Sequence, residues 1–106
     1  MNIMISQPMK GLSRDVIIEN RKRVVNKLQE NGHVVIDTVF DINDAPNNCN
    51  MPIWCLGRSL QALSKVDAVV FMNGWDKARG CKIEHLICEQ YGMSFYEENE
   101  INEIKQ

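Results

Sequence analysis

The chain has 106 residues, 44% of them hydrophobic and 25% charged, and a formal net charge of −2. That length predicts one domain with a core of its own, and the mild acidity argues against long nucleic acid as the main partner, because a phosphate backbone calls for a basic face. No run approaches the ~20 apolar residues of a membrane span, and the N-terminus has no cleavable apolar region, so no membrane partner and a cytoplasmic location are expected.

Residues 2–6, NIMIS, read as a short buried strand running into the loop 7–14, QPMKGLSR. Pro8 removes a backbone donor there, and Gly11 permits an unusual dihedral. Ser13 is a good N-cap for a helix over 14–31, whose apolar positions Val16, Ile17, Val24, Val25 and Leu28 form one stripe. Asn31-Gly32 closes it, and His33–Ile36 reads as a second strand. The Arg21-Lys22-Arg23 cluster is interrupted by Glu19 and Glu30 and reads as a solvated helix face.

Residues 37–52 lack periodicity and are rich in Asp, Asn and Pro, with Phe40 and Ile42 expected to fold back onto the body. A helix is expected over 53–65 with Leu56, Leu60 and Leu63 on one stripe, and Gly57 inside it implies close approach to another backbone. Residues 66–72, VDAVVFM, are nearly all apolar, as in a strand covered on both faces. The loop Asn73–Gly80 follows, then a helix ending at Tyr91-Gly92, a fourth strand over 93–96, and an acidic tail, 97–106. Ile101 and Ile104, at i and i+3 in that tail, are expected to pack as one weak helical turn.

Strands alternating with helices at this spacing predict an α/β domain with a parallel sheet, right-handed crossovers and strand order 2-1-3-4. The switch point then lies between strands one and three, flanked by the loops 6–13 and 73–80, where ligands of open parallel sheets bind. Glu84 sits early in the helix after strand three. Its side chain is placed to lean back toward that crevice, although on spacing alone complementing the helix dipole or pairing with Lys77 or Arg79 is the more common role of an early helical acid. Cys81, beside Lys82 and Arg79 near a helix start, is expected to have a lowered pKa. His85 is turned about 100° from Glu84 and is expected to face solvent or a neighbouring subunit. The cysteines at 49, 55, 81 and 88 and the histidines at 33 and 85 lack metal-site spacing, and the chain has neither GxGxxG nor a P-loop. No metal or cofactor is therefore expected, and the thiols are expected to be reduced.

Two segments together, Ile3–Gly11 with its SxPMxG loop and Asp67–Trp75 followed by Ala78–Glu84 and Tyr91-Gly92, resemble small bacterial and phage proteins of unknown function grouped with the nucleoside 2-deoxyribosyltransferase superfamily. The resemblance runs through Tyr96. It implies a flavodoxin-like (Rossmann-like) three-layer domain, a homodimer or higher oligomer, and a nucleoside or nucleotide as ligand. It also implies cleavage or exchange of an N-glycosidic bond, with Glu84 as the nucleophile that attacks C1′ of the sugar, as in retaining glycosidases. Asp76 is the candidate acid for the departing base, with helix capping as the alternative role. Ser6, Gln7, Pro8, Gly11, Asn73, Gly74, Trp75 and Gly80 are the candidate ligand-binding residues; Trp75 either stacks on the base or plugs the loop. Ala78 stands where those enzymes carry an acidic or hydroxyl residue, Asn73-Gly74 where they carry an aspartate, and no early tyrosine precedes Ser6. An enzyme, a nucleotide-binding module and an oligomeric accessory protein therefore remain as readings. Trp54, Gly57 and the Ile101/Ile104 tail are the expected contacts between copies.

Overall fold

A computed structural model of the protein describes residues 1–36 and 42–105. Phe40 and the side chain of Ile42, expected to fold back onto the body, lie outside what it describes. In the first strand, β1 (Asn2–Ser6), Ile3, Met4, Ile5 and Ser6 are all buried. The first helix, α1 (Arg14–Glu30), starts where expected: Ser13 Oγ accepts the Val16 N–H at 3.3 Å. Only the second half of its stripe is covered, with Val24 and Leu28 buried while Val16 is 43% exposed. The exit turn claims His33, whose N–H donates to Leu28 O, so the second strand shrinks to β2 (Val34–Val35).

The next helix begins two residues earlier than expected and becomes α2 (Met51–Leu63). Asn50 Oδ1 accepts the Ile53 N–H at 3.2 Å, and Pro52 lies in the first turn, where a missing donor costs nothing. A Cβ built at Gly57 meets nothing within 4 Å, so the close backbone approach expected there is absent among the described residues. The third strand is β3 (Ala68–Phe71), completely buried. A short 3-10 helix, Trp75–Lys77, leads into α3 (Arg79–Tyr91), and β4 (Ser94–Glu97) follows.

The sheet is four-stranded, all parallel and ordered β2-β1-β3-β4, as the alternation of elements predicts. Helices cover both faces, and the two-residue period of the strands deals their side chains between two cores. Ile3, Ile5, Ala68 and Val70 pack against Val24 and Leu28 of α1, whereas Met4, Val69 and Phe71 pack against Leu63 of α2 and Cys88 of α3. The tail packs as the helical turn expected of Ile101 and Ile104. It forms a 3-10 helix, Glu98–Glu103, opened by a reciprocal capping box between Glu97 and Glu100. It drives Ile101 (0% exposed) and Ile104 (8%) into the α1-side core, so neither is available as a contact between copies.

Candidate functional site

In a parallel sheet with crossover helices, the helix N-termini gather at the carboxyl ends of the strands. Here the N-terminal halves of α2 and α3, the end of β1 and part of α1 enclose a cleft of about 700 Å³. Ser6 and Gln7 line it from β1 and the residue after it, Asn50, Ile53 and Leu56 from α2 and its cap, and Arg79, Gly80, Cys81 and Glu84 from α3.

Glu84 is the candidate chemical centre. It lies on the second turn of α3, 6% exposed, and its Oε1 accepts the Ser6 hydroxyl at 2.9 Å. That bond joins residues 78 apart in sequence and ties α3 to the end of β1. Burial raises the carboxyl pKa above its ordinary value, and the Ser6 hydroxyl offsets this in part by favouring the charged form. No hydrogen bond to its Oε2 is found among the described residues. No described ion pair joins Glu84 to Lys77 or Arg79.

Cys81 is buried beside this pair, and its expected low pKa is not found. Burial raises it first; a Ser6 hydrogen bond lowers it, the Glu84 charge raises it again, and its own backbone N–H pulls it down. The helix start is thus outweighed by desolvation and a neighbouring carboxylate, which leaves a neutral thiol at neutral pH. Cys88, one turn beyond Glu84 on the buried side, is pushed up to about 11 by burial and then by the Glu84 charge.

Of the residues singled out in the sequence, the cleft brings together Glu84, Ser6, Gln7 and Gly80; Pro8, Gly11, Asn73, Gly74, Trp75 and Asp76 lie outside its lining. The loops after β1 and β3 do meet. A Cβ at Gly74, whose φ of +91° requires glycine, would stand 3.6 Å from Pro8 Cγ. Asn73 N–H donates to the buried carboxylate of Glu98, which also binds Arg23, so the tail fixes this loop. Trp75 turns to the far side of α3. It stacks on His85 at 4.0 Å between ring centroids and 9° between planes, beside Phe71 and Phe95, and its Nε1 donates to Glu97. His85 therefore belongs to an aromatic cluster, correcting its expected exposure to solvent or to a neighbour, and it also pairs with Glu89 at 2.8 Å. Asp76 is exposed on the 3-10 turn. It does not cap α3, whose N-cap Ala78 has only a methyl group and accepts no hydrogen bond.

Sequence reasoning missed the contributions of α1 and α2. The Arg21-Lys22-Arg23 cluster reads as a solvated face, yet Arg21 lines the cleft with Asn50, Ile53, Cys55 and Ser59. The Asn-x-Pro start of α2 was the available signal, because it sets that helix N-terminus at the same edge of the sheet as Glu84. Among the described residues, no group of histidines, cysteines and carboxylates could hold a metal ion, and no helix is long and apolar enough to cross a membrane.

Residues 1–96 match a family described as a domain of unknown function, DUF4406, and the chain belongs to that family. No curated protein and no solved structure matches the chain.

Proposed function

We propose that the protein is a nucleoside 2-deoxyribosyltransferase-like enzyme that cleaves or exchanges the N-glycosidic bond of a nucleoside or nucleotide, with Glu84 as nucleophile. One observation carries this reading: a buried glutamate at the carboxyl edge of a parallel sheet, with one oxygen fixed by Ser6, inside a cleft of ligand size. The free oxygen attacks C1′, the C1′–N bond breaks, and its electron pair leaves with the base. Water or a second base then releases the sugar from Glu84. Ser6 positions the carboxylate, and a proton must reach the departing base. Asp76 is the candidate donor carried by sequence, and it stands outside the cleft lining. Base release from a panel of deoxynucleosides and their monophosphates, followed by chromatography, tests the reading. A 2-fluoro-2-deoxy sugar substrate should leave added mass on the peptide holding Glu84.

A second reading, a nucleotide-binding module without turnover, is favoured by one feature. Glu84 is the sole carboxyl-bearing residue among the described residues of the cleft lining, and its burial favours the neutral form. Binding without base release decides for it.

We also propose assembly into a homodimer or larger oligomer in the cytoplasm. Ile53 (65% exposed) and Met51 (39%) leave α2 partly uncovered, while Arg58 covers the Trp54 ring at 5.6 Å. All four cysteines are unpaired, which fits a reducing compartment. Light scattering at micromolar concentration measures the assembly.

A further inference from the structure

The three helices are held on the sheet in different ways. α3 is buried at Cys81, Glu84 and Cys88, along most of its length, and α1 at Val24 and Leu28. α2 joins the core at its C-terminal end only, through Leu60, Ala62 and Leu63; no residue from Met51 to Ser59 belongs to either core cluster. Yet the apolar run of this helix, Met51-Pro52-Ile53-Trp54-Cys55-Leu56, opens it. Apolar surface left in water is unfavourable, and here it is concentrated at the unanchored end.

Two positions let that end move. Gly57 separates it from the anchored residues. It is helical with no positive φ, and a Cβ built there meets nothing within 4 Å, so neither conformation nor packing calls for glycine. Glycine weakens a helix and is a common place for it to bend. The chain enters α2 past exposed Asn48, whose φ of +62° is the one positive value at a non-glycine among the described residues. Asparagine passes between the left- and right-handed regions more readily than most side chains.

The cleft side of this free end has a counterpart in the same chain. Ile53 lines the cleft and is 65% exposed; Met9, on the loop after β1, lines it too and is 54% exposed. Met51 and Trp54 lie outside the lining, on the part of α2 open to another copy. A second copy covering Ile53 would have to reach into the cleft, which the loop after β1 already borders.

We propose that the free end of α2 is a lid. It pivots at Gly57 and Asn48 and closes on the loop after β1, seating Ile53 against Met9 over an occupied cleft. Closure expels water from around Glu84 and strengthens the charge interactions there. The lid serves a cleft that turns over a nucleoside and one that only holds it.

The test is disulfide trapping in a glutathione redox buffer, with linked peptides mapped by mass spectrometry. Both substituted side chains of Met9→Cys/Ile53→Cys are exposed, so the fold should tolerate them. This pair should link within one chain at least about tenfold faster than Met9→Cys/Met51→Cys, because closure brings only the first into disulfide geometry. Adding Gly57→Ala should slow the link by about fivefold, the helix-stabilising value of that exchange. In the locked protein, iodoacetamide should alkylate Cys55, which lines the cleft, more slowly than in the reduced one. Equal rates for the two pairs indicate local unfolding and overturn the lid. So do no link, a link between two chains, a rate indifferent to Gly57→Ala, or Cys55 alkylated as fast when locked. Base release without trapping keeps the enzyme and removes the lid; trapping without base release does the reverse.

Discussion

The two faces of the sheet are finished differently. On the α1 side, the C-terminal 3-10 helix closes the layer: Ile101 and Ile104 fill the space beside Val24 and Leu28, and Glu98 ties down Asn73 and Arg23. On the other side, α2 and α3 pack over the strands chiefly through their C-terminal ends, at Leu63 and Cys88, and their N-terminal halves leave a cleft over Ser6. The same strands thus supply a sealed core on one face and an open cleft on the other. The family match ends at residue 96, so the segment that seals the first face lies beyond it. Stability and chemistry should therefore separate by face, and mutations can test that separation.

The largest expected effect belongs to the open face. Glu84→Gln should lower base release by at least about a thousandfold, chiefly in kcat, because the lost interaction forms in the transition state. Asp76→Asn should cost less than about tenfold, below the ~10²–10⁴-fold of a fully engaged general acid, because Asp76 is exposed and outside the cleft lining. Turnover by Glu84→Gln near the wild-type rate would remove Glu84 as nucleophile.

The sealed face should show the converse. Ile101→Ala should destabilise the fold by about 2–4 kcal/mol, the range for truncating a buried isoleucine, and leave ligand affinity unchanged at temperatures where the protein is folded. Urea unfolding measures this. A loss under about 1 kcal/mol would mean that the tail does not seal the core as described.

The pH dependence of the open face carries two signs. As the proposed nucleophile, Glu84 would have to be ionised, so kcat should rise with pH through a carboxyl pKa above the ordinary value. Stability runs the other way. The folded state favours the neutral acid, so this contribution is full below the unfolded pKa of about 4.5 and is lost as pH rises through the raised folded value. Glu84→Gln should match wild type in thermal midpoint near pH 4 and exceed it at pH 7. A rate that falls across that range would instead give Glu84 the role of an acid.

Much of the fold was legible because its signals are local. Ser13 and Asn31-Gly32 bracket α1, the unbroken apolar run of β3 marks a central strand, and the alternation of elements carries the sheet order. Glu84 and Ser6 were legible as two separate motifs, but their hydrogen bond spans the chain and depends on packing. The failures share that cause. Cys81 shows favourable neighbours in sequence, while its burial is tertiary. Helix rotation alone turns His85 outward and is blind to Trp75 folding over it. The tail looked weak because two isoleucines and a run of acids make little helix, but the core it enters is built by residues some 75 positions away, in α1.

The smallest expected effect concerns α2, the element that leaves its face open. Gly57 lies in mid-helix with empty space where a Cβ would stand, so Gly57→Ala should stabilise an isolated chain by about 0.5–1 kcal/mol by removing backbone freedom from the unfolded state. If another copy packs against α2, the same methyl meets that copy's backbone. The oligomer should then weaken while the protomer gains stability. Urea midpoints at two protein concentrations, with light scattering at each, separate these outcomes. A gain independent of concentration leaves Gly57 a solvent-facing residue of a monomer surface. A gain at low concentration that reverses at high concentration places the interface on α2, at the rim of the cleft.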